Sequence, residues 1–217
     1  MNLYFISGLG ADKRIFSKLK LDKNIKVIHV DWIEPNKNEP LAHYAKRLSQ
    51  IINLSERFCV IGISFGGMIA VEIAKIYQPH VTIVISSPVE SKYLPKMYRL
   101  AGRLKLINLV PAWILKASNK ISQNYFFGVK SVEEKKLLSQ IVADTDPKFL
   151  KWAIGSILSW KNNIRPKNLY HIHGTNDKIL YSKKAKPNFL IKNGTHFMVY
   201  QNASEISGLI NDLIIKS

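Results

Sequence analysis

Phe58-Cys59-Val60-Ile61 runs straight into Gly62-Ile63-Ser64-Phe65-Gly66, a G-x-S-x-G pattern, and Gly67 and a helical run over 68–76 follow. Apolar strand, sharp turn and helix form the context in which such a serine does chemistry. The turn strains the backbone and lifts the hydroxyl clear of the sheet. Gly62 and Gly66 relieve the crowding around it, because glycine has no Cβ. Gly67 lets the helix lie close, with its N–H groups and positive end near the serine. A serine hydroxyl is a poor nucleophile at neutral pH. It needs a base to take its proton and a third group to hold that base. Two later stretches supply candidates: Asp177 in His173-Gly174-Thr175-Asn176-Asp177, and His196 in Gly194-Thr195-His196-Phe197. Each piece taken alone has a plainer reading. Ser64 would be incidental to a glycine-rich turn, Asp177 an ordinary turn aspartate and His196 a surface-loop histidine.

Taken together, these motifs make the sequence resemble a small α/β-hydrolase with a helical cap, and the resemblance covers nearly the whole chain. It implies the chain order Ser, Asp, His. Ser64 is then the nucleophile, His196 the general base and later the acid, and Asp177 the carboxylate that orients the imidazole. It also implies an oxyanion hole built from the backbone N–H groups of Phe65 and of Leu9, in Ser7-Gly8-Leu9. That loop usually reads His-Gly-X in the family. Ser7 replaces the histidine, so it is expected either to fix the loop differently or to face the substrate. The implied activity is hydrolysis of a carboxylic ester or thioester through an acyl-enzyme, with no cofactor. The same triad also serves acyl transfer or carbon–carbon bond cleavage, and a catalytically silent hydrolase-like binding protein would keep the fold without the reaction.

The elements that must position these residues can be read from periodicity. Leu3-Tyr4-Phe5-Ile6 and Ile25-Lys26-Val27-Ile28-His29-Val30 read as strands, and 41–52 as an amphipathic helix with Leu41, Tyr44, Ala45, Leu48, Ile51 and Ile52 on one face. After the Ser64 helix, Val81-Thr82-Ile83-Val84-Ile85 is another buried strand. Leu169-Tyr170-His171-Ile172-His173 and Asn188-Phe189-Leu190-Ile191 are the last two, and a final helix runs through Leu213, capped by Asn202 and Glu205. Apolar strands alternating with helices predict an α/β fold with a mostly parallel central sheet covered on both faces. Between about Val89 and Asn163 the alternation stops and only helices are expected. Ser131-Val132-Glu133-Glu134 is a capping box, and Asp146-Pro147 opens the helix that carries Phe149 and Trp152. The organisation is therefore a core over 1–88 and 164–217 with a cap over 89–163.

The cap segment has no acidic residue from Ser91 to Val132. It carries Lys92, Lys96, Arg99, Arg103, Lys105, Lys116, Lys120 and Lys130. Lys92, Lys96, Arg99 and Arg103 share one helical face, and Leu94, Met97, Tyr98, Ala101 and Leu104 the other. The plain reading is a lid with its apolar side down and its basic side solvated. The functional reading is attraction of an anionic acyl substrate or a membrane surface, with Trp113, Phe126, Phe127 and Trp152 shaping an acyl pocket.

The chain has 217 residues and is 47% hydrophobic, enough for one sizeable core. Its net charge of +17 rests mostly on lysine in an Ile- and Asn-rich chain, a mixture that compositional bias alone produces. No nucleic-acid motif accompanies the charge, so no nucleic-acid partner is expected. The Gly8-Leu9-Gly10 start of a dinucleotide motif meets Lys13 where a third glycine belongs. His171 and His173 share a strand face without an obvious third ligand, and read as buried or hydrogen-bonded rather than metal-binding. The single cysteine, Cys59, lies in an apolar strand and is expected to pack. The first residues read as a strand and no run is long enough to span a membrane, so a cytoplasmic protein with a small-molecule substrate and no stable membrane insertion is expected.

Overall fold

The computed structural model describes residues 1–116, 120–180 and 185–215; the side chain of Lys116 lies outside the described residues. Six parallel strands form one sheet: β1 (Asn2–Ile6), β2 (Lys26–Val30), β3 (Phe58–Ile63), β4 (Val81–Ile85), β5 (Leu169–Gly174) and β6 (Phe189–Ile191), in the order β2-β1-β3-β4-β5-β6. Side chains alternate across each strand, so a strand covered on both faces must be apolar throughout. In β1, Tyr4 and Ile6 face one layer, while Leu3 and Phe5 face the other. The first layer holds α1 (Leu41–Leu48) and α2 (Phe65–Tyr77). The second holds the C-terminal helix Ala203–Ile215, which buries Ile206, Ile210 and Ile214. Cys59 is fully buried. Exposure is found at the two edges, where β2 exposes its early residues and β6 exposes Leu190.

The first helix is shorter than its apolar pattern predicts. It ends at Leu48 and tightens into a 3-10 turn over Ser49–Ile51. The tighter turn changes the phase, so Ile51 points to solvent, 53% exposed, and not into the core.

Between β4 and β5 the described residues form helices only: α3 (Lys96–Arg103), α4 (Ala112–Lys116), α5 (Lys120–Phe127), α6 (Val132–Asp144) and α7 (Pro147–Ser159). Ser131 and Glu134 close the capping box of α6, and the Asp146 carboxylate accepts from the Phe149 amide at the start of α7. The two ends of this insertion are tied together. The Ser91 amide donates to Asn162 O at 2.8 Å, and Asn162 Nδ2 donates to Val89 O at 2.8 Å.

The predicted facing of α3 holds only in part: Leu94 and Tyr98 turn toward the core, whereas other members of the two faces do not lie as expected. Lys92 lies outside the helix, in a 3-10 turn, and pairs with Glu90 at 2.6 Å. Met97 is 79% exposed and Leu104 59% exposed, so these two members of the apolar stripe are not directed inward. The helix docks instead through Gly102, where a Cβ would stand 1.9 Å from Leu158 O of α7. That closeness selects the small-residue face for the contact and turns Met97 and Leu104 out. Trp113 and Phe126 are also largely exposed, and among the residues expected to shape a pocket only Phe127 and Trp152 turn inward.

Candidate active site

Ser64 follows β3 directly, at the carboxyl end of a central strand, where ligands of open parallel sheets gather. Its backbone stands at φ 52, ψ −118, a conformation that a non-glycine residue holds only under strain. The strain is enforced from both sides. A Cβ on Gly62 would lie 2.1 Å from Gly66 O, and one on Gly66 would lie 2.1 Å from Ser7 O. The turn is thus wedged between its own helix and the loop after β1, and only glycine fits at either position.

Asp177 comes from the loop after β5 and His196 from the loop after β6. The second loop bends back across the first: the Thr175 amide donates to Ile191 O and the Asn176 amide to Gly194 O. That bend carries His196 toward β3. Its Nε2 lies 3.0 Å from Ser64 Oγ, and its Nδ1 lies 2.9 Å from Asp177 Oδ2. Asp177 and His196 are buried, while Ser64 retains partial exposure. The Phe127 ring meets the His196 imidazole edge-on at 5.5 Å.

Asp177 is at the same time a turn residue. Its Oδ1 accepts from the amides of Ile179 (2.9 Å) and Leu180 (2.8 Å), and this turn fixes the carboxylate plane. Oδ2 is shared between His196 and a group that the sequence reading left unconnected, His173, whose Nε2 lies at 3.2 Å. His173 Nε2 also faces Leu180 O at 3.1 Å. Both neighbours only accept, so Nε2 carries the hydrogen. In the neutral ring Nδ1 of His173 is then an acceptor, and His171 Nε2, 3.0 Å away, is placed to donate to it. The donors thus run in one direction from His171 through His173 to Asp177, and His196 donates to Asp177 from the other side. Burial alone would raise the Asp177 pKa. The His196 charge and the hydrogen bonds from both histidines outweigh it and hold the carboxyl well below the usual range. Burial, then the neighbouring His173 and Arg165, lowers the His171 pKa to about 3, so His171 is neutral.

The loop after β1 is held with Ser7 where the resemblance implies a histidine. Ser7 is 3% exposed and its hydroxyl donates to Ala11 O at 2.6 Å. Trp32 Nε1 donates to the same oxygen at 2.8 Å, and the Ala11 amide closes the turn onto Gly8 O. Ser7 therefore does not face a substrate; its hydroxyl is engaged in fixing the loop. A Cβ on Gly8 would lie 3.6 Å from Ser64 Cβ, so the loop passes beside the serine. Neither the Leu9 nor the Phe65 amide donates a hydrogen bond among the described residues. Two free N–H groups flanking a strained serine can receive charge that develops on an oxygen.

An aromatic wall stands next to this loop. Trp32 packs on Phe65 (5.6 Å between centroids) and on Phe149 (5.3 Å), and Trp152 packs on Tyr44 (4.4 Å) and Phe65 (5.9 Å). Tyr98, on the inward side of α3, has its pKa raised by burial and by the Asp177 charge. The insertion therefore meets His196 through Phe127, and joins the aromatic wall through Phe149 and Trp152. Sequence periodicity placed Phe149 and Trp152 on one helix, but nothing in the sequence tied Trp32 to Ala11.

No family model matches the chain, and no curated protein matches it in sequence. Solved structures do match. MenH from S. aureus superimposes with a TM-score of 0.77 at 17% identity, covering 100% of this chain and 94% of that one. A thermophilic esterase from Thermogutta terrifontis gives 0.73 at 14% identity, covering 100% and 90%. A lipase-esterase related protein from Clostridium acetobutylicum gives 0.68 at 16% identity, covering 98% and 93%. The chain has the α/β-hydrolase fold.

Proposed function

We propose that the chain is a serine hydrolase acting on a carboxylic ester or thioester. The observation that carries this reading is the unbroken hydrogen-bonded run from Ser64 Oγ through His196 to Asp177 Oδ2, beside two unengaged amides. Ser64 Oγ attacks the acyl carbonyl as His196 Nε2 takes its proton. The carbonyl oxygen becomes an oxyanion received by the Leu9 and Phe65 N–H groups. As the tetrahedral adduct collapses, His196 returns the proton to the departing alcohol or thiol and an acyl-serine remains. Water, deprotonated by His196, then releases the carboxylic acid and restores the hydroxyl. Asp177 stays ionised throughout and stabilises the imidazolium.

The helical insertion, residues 89–163, serves in this reading as the cap over the acyl site. A cleft of about 1520 Å³ opens between the loop over 32–42 and α7, and neither Ser64 nor His196 lines it. We place the acyl group at the triad because bond formation requires contact with Ser64 Oγ. The fold neighbours named as esterases support a hydrolytic reaction. The test is labelling by a fluorophosphonate and turnover of p-nitrophenyl esters of graded chain length, with Ser64→Ala as the blank. Labelling and turnover that vanish in Ser64→Ala are expected. Turnover that survives the substitution, or the absence of both signals, overturns the reading.

A further inference from the structure

Helix α3 is strongly amphipathic yet buries none of its residues. Its inward side is Tyr98, Ala101 and Gly102, with Gly102 against Leu158 O of α7. Two rows are left facing out at helical spacing. Met97, Leu100 and Leu104 form an apolar row, 79%, 56% and 59% exposed. Lys96, Arg99 and Arg103 form a basic row beside it, and none of the three makes an ion pair among the described residues. The apolar exposure continues past the helix. Leu106 and Leu109, in the following 3-10 turn, are 43% and 79% exposed, and Trp113 of α4 is 70% exposed. That turn and α4 also pack on α7, so the residues left outside form an outer face of the insertion. So many exposed large apolar residues in one short segment of a folded chain mark an interaction surface.

We infer that this outer face docks on an anionic lipid surface. The charge pattern selects that occupant: from Ser91 to Val132 the chain has no acidic residue, while cations flank the apolar row. An interfacial helix has these properties, with apolar residues entering the acyl boundary, cations at the headgroups and an exposed tryptophan at the interface. A second copy of the chain fits poorly, because a symmetric contact sets Lys96, Arg99 and Arg103 opposite themselves on two bodies of charge +17. No helix among the described residues is long and apolar enough to cross a membrane, so the contact is peripheral. The inference is independent of the chemistry at Ser64.

The test is sedimentation of the full chain with vesicles of phosphatidylcholine alone or with about a third phosphatidylglycerol, at low and high salt. Binding to the anionic vesicles that weakens with salt is expected. Lys96→Gln/Arg99→Gln/Arg103→Gln should weaken partitioning by about a hundredfold, since each cation at an anionic surface contributes roughly a fivefold factor. Met97→Ser/Leu100→Ser/Leu104→Ser should weaken it by about tenfold or more. All six side chains are exposed, so an unchanged melting temperature shows that the variants fold. Brominated lipid should quench a tryptophan signal that Trp113→Phe removes. Equal partitioning to both vesicle types overturns the inference, as does undiminished binding of either triple variant. An equal loss on neutralising the distant Lys20, Lys23 and Lys26 assigns the binding to net charge and also overturns it. So does a lipid-free dimer that the serine variant dissolves, since a second copy then covers the face.

Discussion

Lowering the pH from 7 to 5 is expected to cost the fold about 2 kcal/mol through His171 alone. His171 is fully buried, and its pKa falls from 6.5 to about 3 in the folded chain. In the unfolded chain it titrates near 6.5. Below that pH the unfolded state takes up a proton that the folded state refuses, so stability is intact above about 6.5 and falls with pH until about 3. Each pH unit in the window costs about 1.4 kcal/mol, and about one and a half units lie between 6.5 and 5. The measurement is urea unfolding of the wild type and His171→Gln at both pH values, followed by tryptophan fluorescence. Glutamine can still offer an N–H to His173 Nδ1 but does not titrate. Its constant cost appears at both pH values, and every other titrating group is common to the two proteins. The difference in stability between wild type and variant should therefore shift by about 2 kcal/mol, toward the variant, as the pH drops. Parallel pH dependence in the two proteins would show that His171 takes its proton inside the fold and would refute the burial argument.

Two further outcomes follow from the site. Asp177→Asn, measured on a p-nitrophenyl ester, should lower kcat by about a thousandfold to ten-thousandfold, because an amide cannot hold His196 in the tautomer that leaves Nε2 free to accept; an unchanged kcat would remove Asp177 from the mechanism. Gly66→Ala drives a Cβ to 2.1 Å from Ser7 O, and should destabilise the chain by about 1–3 kcal/mol or more and abolish turnover. Gly208→Ala, in the C-terminal helix with nothing within 4 Å of the new Cβ, should instead stabilise by about 0.5–1 kcal/mol in the same denaturation assay.

The sheet was legible because each strand, buried on both faces, is written as an unbroken apolar run, as in Val81 to Ile85. The Ser64 turn was legible because close approach leaves only glycine at 62 and 66, and that constraint is visible in the letters themselves. The loops carrying Asp177 and His196 could be named from motif order, but their meeting depends on the backbone of Gly194 crossing that of Asn176, which no local pattern encodes. The link from His173 to Asp177 was hidden for a related reason. A histidine in a strand looks the same whether it fills space or donates to a carboxylate. The partly misplaced face of α3 has a different origin: amphipathicity says that two faces differ, not which one docks. The backbone contact between Gly102 and Leu158 decided that. The early end of α1 at Leu48 was likewise invisible, since its apolar spacing continues through Ile51 into the 3-10 turn.

The knot at Val89, Ser91 and Asn162 gives the helical segment a narrow neck. Chain leaves the carboxyl edge of β4 and returns for β5 through almost the same point, so strand pairing on either side is indifferent to how much polypeptide loops out between. Length, helix number and surface character beyond that neck are free to drift or be grafted, while the registers that hold Ser64, Asp177 and His196 stay untouched. A sheet joined to its helical segment in this way can exchange one outer surface for another without refolding.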